Sequence, residues 1–447
     1  MLIFSSSGLR GIAPEWLTPE IALRAAVAYA RTLNPDAVLV GRDTRSTSPL
    51  LELSVVSGLL SEGVKVFRAG IVPTPIAFFA VRELGLDGAI VITGSHNPVM
   101  WNALKMANEE GTFIKDEVMK KIIDALREVR CGWKSGGEAV VVDVIERYVQ
   151  FLKGVVDCEV IRKRGLKVLI DPAAGAASHV TPRVLREVGC KVVSVNTCPY
   201  MSFRHYEPSQ ETLAYLHRIL RTCDIGFAHD CDGDRLVILD PRRGALDPNY
   251  TLALALESFH DKYGYKGFVV VNFATSNMVR DVAESLGCKV IYSKIGEVYV
   301  LEEMRHKGAL IGGEGSSAGV IFLRLNPTRD GILTSLMILE FLARERIDLG
   351  EKLEEYPRYY SFHEKIPLDT DAERLTTRIY EDLANSFEVE VLDGIKVSLD
   401  EGWVLFRPSR TEPYMRVIGE AIDEERVKEL KRWGVKLVRD IMREMAR

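Results

Sequence analysis

Asp230-Cys231-Asp232-Gly233-Asp234-Arg235 places three carboxylates at alternate positions shortly after the apolar run DIGFA. Crowded together they repel, and a hard divalent cation such as Mg²⁺ relieves them. An EF-hand also opens with Asp at its first, third and fifth positions, but it needs Gly at the sixth and Glu at the twelfth. Here those positions are Arg235 and Pro241, so that reading fails. Thr93-Gly94-Ser95-His96-Asn97-Pro98 follows the run GAIVI. Gly94 permits a tight turn, Pro98 stiffens the exit, and Ser95 stands where a parallel strand hands its chain to a ligand site. A serine hydroxyl carries chemistry only when neighbours take its proton or stabilise its charge. By itself the serine segment equally fits an inert polar turn; for the Asp segment a solvated acidic turn is the bland alternative, and the apolar strand directly before it argues against that.

Two further loops could meet a polar ligand. In Ile311-Gly312-Gly313-Glu314-Gly315-Ser316 the glycines allow close approach, and Glu314 and Ser316 could bind sugar hydroxyls. The loop lacks GxxxxGK[ST], so no P-loop is implied. Arg407-Pro408-Ser409-Arg410-Thr411-Glu412-Pro413 offers two guanidinium groups, two hydroxyls and backbone donors, a plausible phosphate cradle. A salt-bridged surface turn has the same composition. The Arg-bearing loops Ser5–Gly11 and Gly41–Arg45 are weaker signals.

Elements with regular patterns must position these loops. AVLVGRD, VKVFRAG and GAIVITG read as buried strands, and residues 48–63 and 115–129 as helices, the second amphipathic. Strands alternating with helices predict a mostly parallel α/β unit. Gly and polar residues cluster at 131–138, a break. A second strand–loop–helix series opens at KVLIDPAAGA (167–176) and a third near FVVVNFATSN (268–277). The C-terminal part, from about Tyr356, reads as an antiparallel sheet with helices. The expected bounds are 1–135, 136–245, 246–355 and 356–447.

The chain has 447 residues, 47% of them hydrophobic, enough for about three domains and a cleft between them. A net charge of -5 argues against broad nucleic-acid or anionic-membrane binding. The N-terminus has no signal-peptide pattern. The longest apolar stretch, Gly331–Ala343, is too short for a bilayer and predicts a buried helix. A cytoplasmic protein is expected. The seven cysteines form no CxxC pair and read as small buried apolar residues.

In this order, the Ser, Asp, Glu and Arg-Ser-Thr loops resemble the α-D-phosphohexomutase family, which includes phosphoglucomutase, phosphomannomutase and phosphoglucosamine mutase. The resemblance runs from Phe4 to about Glu420. It implies an α/β fold with three similar α/β domains of mixed sheets plus a C-terminal α+β domain, arranged around a central cleft. It implies that Ser95 is a phosphoserine and that Ser95, Asp230, Asp232 and Asp234 hold one Mg²⁺. It implies a mutase interconverting 1- and 6-phosphates of a hexose or hexosamine through a sugar bisphosphate, with a hexose bisphosphate as activator. Arg10 and Lys105 match basic residues that the family places near the reacting hydroxyl, and His96, which follows the phosphoserine, is a candidate contact. Glu314 and Ser316 would hold sugar hydroxyls, Arg407, Ser409, Arg410 and Thr411 the far phosphate, and Arg235 the metal loop. The sugar monophosphate is the expected partner, and a monomer or homodimer the expected state.

The chain departs from the family's usual pattern in several places. Residues 5–7 are Ser-Ser-Ser, Cys231 replaces a frequent Gly, Arg410 stands where Gly or Asn is usual, and Ser317-Ala318-Gly319 follows the Glu loop. Ala274 and Glu297 align with a Lys and a His of bacterial phosphomannomutase/phosphoglucomutase enzymes. An acidic residue at 297 could meet a hexosamine ammonium. A phosphoserine-dependent phosphatase or phosphotransferase is the alternative activity.

Overall fold

The computed structural model describes residues 2–5, 8–130, 132–134, 136–409 and 413–445. Four sheets follow one another along the chain. The first has seven strands, in the order Ile3–Ser5, Gly8–Ile12, Trp101–Ala107, Gly88–Ile92, Ala37–Arg42, Lys65–Ile71 and Ala139–Val141. Its inner strands Ala37–Arg42 and Gly88–Ile92 pair in parallel, whereas Gly88–Ile92 and Trp101–Ala107 pair antiparallel. The sheet is therefore mixed, less parallel than strand–helix alternation alone predicts. Its last strand, Ala139–Val141, pairs with Lys65–Ile71 and so carries the sheet past the expected boundary at 135.

The second and third sheets have five strands each, and each joins parallel strands to antiparallel ones. The fourth, beginning at Tyr360–Pro367, has five antiparallel strands and the long helix Glu424–Met445. The molecule is thus a four-domain α/β protein with a C-terminal α+β part, as expected.

One continuous apolar core runs through the first three domains, from Phe78 and Tyr148 to Phe322 and Met337. The predicted buried helix is Gly331–Glu345, whose residues 331–343 are all buried there. Asp330 caps it by accepting from the Leu333 amide. The fourth domain has its own core around Val404, Phe406 and Val438. It meets the third through a small cluster of Phe273, Ala274, Trp403, Leu405 and Ile418. Of the described cysteines, Cys190, Cys223, Cys231 and Cys288 are buried as expected, Cys158 is half-buried and Cys198 is exposed.

Candidate active site

The Asp loop is the connection of a hairpin. Ile225–His229 and Leu236–Asp240 pair antiparallel, with His229 opposite Leu236, so residues 230–235 must turn within one tight loop. Gly233 takes φ +71°, a conformation side chains rarely adopt. The loop is pinned from both sides. The Thr74 amide donates to Asp232 O (3.0 Å) and the Ala176 amide to Cys231 O (2.7 Å). Thr74 opens the helix Thr74–Leu84 in the first domain, and its hydroxyl donates to Asp232 Oδ2. The helix N-terminus thus faces a carboxylate, the favourable end of its dipole.

Ser95 leaves the fully buried strand Gly88–Ile92 and arrives at this loop from another domain. Its backbone is left-handed, φ +49°, and its Oγ donates to Asp230 Oδ2 at 2.7 Å. Gly94 is needed here, because a Cβ would stand 2.6 Å from the Arg45 guanidinium carbon and from Trp101 O. Lys105, on the antiparallel neighbour strand, sends Nζ to Asp232 Oδ2 (2.6 Å) and Asp234 Oδ2 (2.9 Å). His96 Nδ1 lies 3.5 Å from Ser95 Oγ, and its Nε2 3.8 Å from Glu207. Glu207 also accepts two hydrogen bonds from Arg235 Nη1.

The three carboxylates are fully buried, with ligand oxygens all within 4.8 Å of one another. Asp232 Oδ1 and Asp234 Oδ1 are buried without any hydrogen-bond partner. Buried orphan oxygens on adjacent carboxylates are costly, and a hard cation satisfies both at once. Oxygen-only donors fit Mg²⁺. Burial, then Asp234 and Asp232, push Asp230 well above the usual carboxylate range. Burial also works against charge at Asp234, but Arg329, Lys105 and Arg235 outweigh it and hold that carboxyl low. For Lys105, burial is outweighed by Asp232 and Asp234, which keep the ammonium charged. Burial, with Arg235 and Arg10, pushes His96 well below its ordinary value, so it is neutral at pH 7. Arg10 is lowered to about 10 by burial and by Arg235, and it feels the field of Asp232.

The structure therefore brings Ser95, His96, Lys105, Asp230, Asp232 and Asp234 into direct contact, with Arg235 and Arg10 at their edge. Glu314 closes the third-domain side. Its Oε1 accepts from the Gly296 amide (2.9 Å) and from Asn272 Nδ2 (3.2 Å), which also reaches Ser316 Oγ at 3.3 Å. Arg407 connects more distantly. Its Nε donates to Asp393 Oδ2 (3.0 Å), which also accepts from the Ile295 amide (3.0 Å), next to Gly296. Ser409 donates its amide to Tyr414 O. Arg410 and Thr411 lie outside the described residues.

Glu297 does not present a free carboxylate to a ligand. Its oxygens accept from the Thr328 hydroxyl, the Arg329 amide and Arg329 Nε. Sequence reasoning missed Arg329, Thr74 and Asn272, which lie in no motif, and gave Arg45 little weight. Arg45 is fully buried and donates to Asp43 and to the carbonyls of Ser95, Asn97, Pro98 and Trp101. It holds the whole serine loop. The run of carbonyl acceptors exists only in the folded turn, so no sequence signal marks it.

A buried serine beside three clustered carboxylates and a lysine, where the first three domains meet, has the donor set that metal-assisted phosphoryl transfer requires. Models of phosphoglucomutase/phosphomannomutase α/β/α domains I, II and III match residues 1–130, 146–244 and 247–360, and the C-terminal domain model matches 364–432. The chain belongs to the phosphoglucomutase/phosphomannomutase family and is a phosphohexomutase, an intramolecular phosphotransferase. It is 36% identical to a phosphoglucomutase/phosphomannomutase of Thermococcus kodakarensis, over 99% of both chains. It is 35% identical to a probable phosphoglucosamine mutase of Pyrococcus abyssi, over 98% of both. A crystal structure of a phosphoglucomutase/phosphomannomutase family protein from Burkholderia thailandensis superposes with a TM-score of 0.85 at 26% identity, covering 98% of each chain. The family is magnesium-dependent, and the Asp cluster can hold one ion. Among the described residues no helix is long and apolar enough to cross a membrane.

Proposed function

We propose that Ser95 is the phosphoryl carrier of this phosphohexomutase, and that its substrates are the 1- and 6-phosphates of a hexose or hexosamine. The observation that carries this reading is the 2.7 Å contact of Ser95 Oγ with Asp230, beside two buried carboxylate oxygens that lack partners. The two relatives above bear names that differ in the sugar, so the class is wider than one sugar. Glucose, mannose and glucosamine phosphates are the candidates.

Phosphoryl transfer depends on positioning and on neutralising charge. When bound at Asp230, Asp232 and Asp234, Mg²⁺ supplies charge neutralisation at the transferring oxygens. Lys105 and Arg10 add fixed positive charge, and Arg45 orients Ser95. The Ser95 Oγ–P bond breaks as a sugar oxygen–P bond forms, and the sugar hydroxyl's proton ends on the released Ser95 Oγ, giving a bisphosphorylated sugar. That sugar reverses in the cleft, and its other phosphoryl group returns to Ser95 Oγ. Glu314 and Ser316 bind hydroxyls in both orientations. Arg407, Ser409, Arg410 and Thr411 hold the distal phosphate, while Arg235 steadies the metal loop and neutral His96 contacts the phosphoryl group. A hexose bisphosphate is the activator, because it recharges an unphosphorylated Ser95. We place the enzyme in the cytoplasm as a monomer or homodimer, with domains meeting near 245 and 355.

The test is direct. Supply Mg²⁺ and a trace of glucose 1,6-bisphosphate, and assay 1- and 6-phosphates of glucose, mannose and glucosamine in parallel. Interconversion of at least one pair is expected. Release of inorganic phosphate without interconversion, or no reaction with any pair, overturns the reading.

A further inference from the structure

Arg329 touches three carboxylates on three separate elements of the fold. Its Nη2 donates to Asp234 Oδ2 at 2.7 Å, its Nη1 to Glu314 Oε2 at 2.8 Å, and its Nε to Glu297 Oε2 at 2.9 Å. Asp234 belongs to the metal loop of the second domain. Glu314 ends the third-domain strand Ile311–Glu314, and Glu297 opens the third-domain helix Glu297–Lys307. Arg329 is buried, 8% exposed as a residue, so these charges interact largely away from water. A planar guanidinium has donors in a fixed fork and can hold three partners in defined directions; an ammonium cannot.

From this fork we infer that Arg329 is a positioning residue coupling the divalent-metal loop to the sugar-side carboxylate Glu314, so that metal binding at Asp234 tightens the third-domain half of the cleft. The inference rests on the reading that the Asp cluster holds a divalent cation. Asp234 Oδ1 accepts no hydrogen bond and would be the oxygen offered to a cation, while Oδ2 accepts from Arg329 and Lys105. Bound there, it would withdraw charge from the carboxylate and weaken the hold of Asp234 on Arg329. The fork then transfers its weight to Glu297 and Glu314. Those two carboxylates in turn hold backbone: Glu314 Oε1 the Gly296 amide, and Glu297 Oε1 the Arg329 amide at 3.1 Å. Coupling of this kind is reciprocal, so a sugar hydroxyl that draws on Glu314 returns the fork to Asp234 and weakens the metal site.

The experiment uses the full-length protein and Mg²⁺ alone, with no sugar. Hydrogen exchange is followed in peptides covering 230–235, 295–297 and 326–331, with and without saturating Mg²⁺. In the parent protein Mg²⁺ is expected to slow all three, the two third-domain peptides by about threefold or more. Arg329→Lys keeps the charge and loses the fork, so it should retain slowing at 230–235 and lose it in the third domain. Slowing at 230–235 with none at 295–297 or 326–331 in the parent overturns the coupling without any variant. Undiminished third-domain slowing in Arg329→Lys overturns the role of the fork. No Mg²⁺ effect anywhere sinks the metal-site reading, and the coupling with it.

Discussion

Ser95 Oγ and Asp230 Oδ2 meet at 2.7 Å although 135 residues separate them along the chain. One residue comes from the first domain and the other from the second. The proposed carrier and the proposed metal ligand are therefore brought together only by the packing of two domains.

Ser95→Ala removes the oxygen proposed to carry the phosphoryl group. Mutase turnover should fall by about 10⁴-fold or more, the scale seen when a nucleophile is deleted. Intact mass should show one phosphate on a fraction of the parent molecules and none on the variant. Full mutase activity in Ser95→Ala would remove the residue from its role.

Asp232→Asn keeps the shape of the side chain and removes a charge from the site. Activity should drop about 10²–10³-fold, and Mn²⁺ binding followed by electron paramagnetic resonance should weaken. Chelation of the parent protein should abolish turnover reversibly, with the far-ultraviolet circular dichroism unchanged. Unaltered Mn²⁺ affinity in the variant would exclude Asp232 as a ligand.

Arg45→Lys tests the serine loop. Lysine keeps the charge but cannot reach the carbonyls of Ser95, Asn97, Pro98 and Trp101 together. The kcat should fall about 10–100-fold with KM changed by less than about twofold, because the loop positions the reacting oxygen and not the bound sugar. Hydrogen exchange at 95–101 should quicken. A matched rise in KM with constant kcat would point to substrate binding instead.

Lys396 makes stability depend on alkaline pH. Its ammonium is buried between the third and fourth domains, 4.1 Å from the Trp403 ring centre and 4.8 Å from that of Tyr292. Burial lowers its pKa from 10.5 to about 8. Below the folded value both states carry the proton, and the penalty of burying the charge is fully present. Between about 8 and 10.5 the unfolded chain binds more protons, so this group's contribution rises with pH. Unfolding free energies of the parent and Lys396→Met, measured by denaturant from about pH 7 to about pH 10, should therefore diverge in favour of the parent. A constant difference would contradict the depressed pKa.

The short loops were legible because each carries its chemistry within a few consecutive residues. Asp230, Asp232 and Asp234 mark a candidate cation site by their alternate spacing after an apolar strand, and GAIVI before Ser95 marks a strand end. The apolar run 331–343 likewise reads as a buried helix without knowledge of its neighbours. Glu297 shows the limit. Its acidity was visible, but not that Thr328 and Arg329 occupy both its oxygens.

By itself, then, the amino-acid order determined the strands, the helices and the identity of the reactive loops, since backbone propensity and alternation are local properties. The tertiary structure decided which charges meet. Thr74 reaches Asp232 across 158 residues and Arg329 reaches Asp234 across 95. A threonine or an arginine outside any motif gains a role only when folding removes water from around it and leaves a buried carboxylate as its partner.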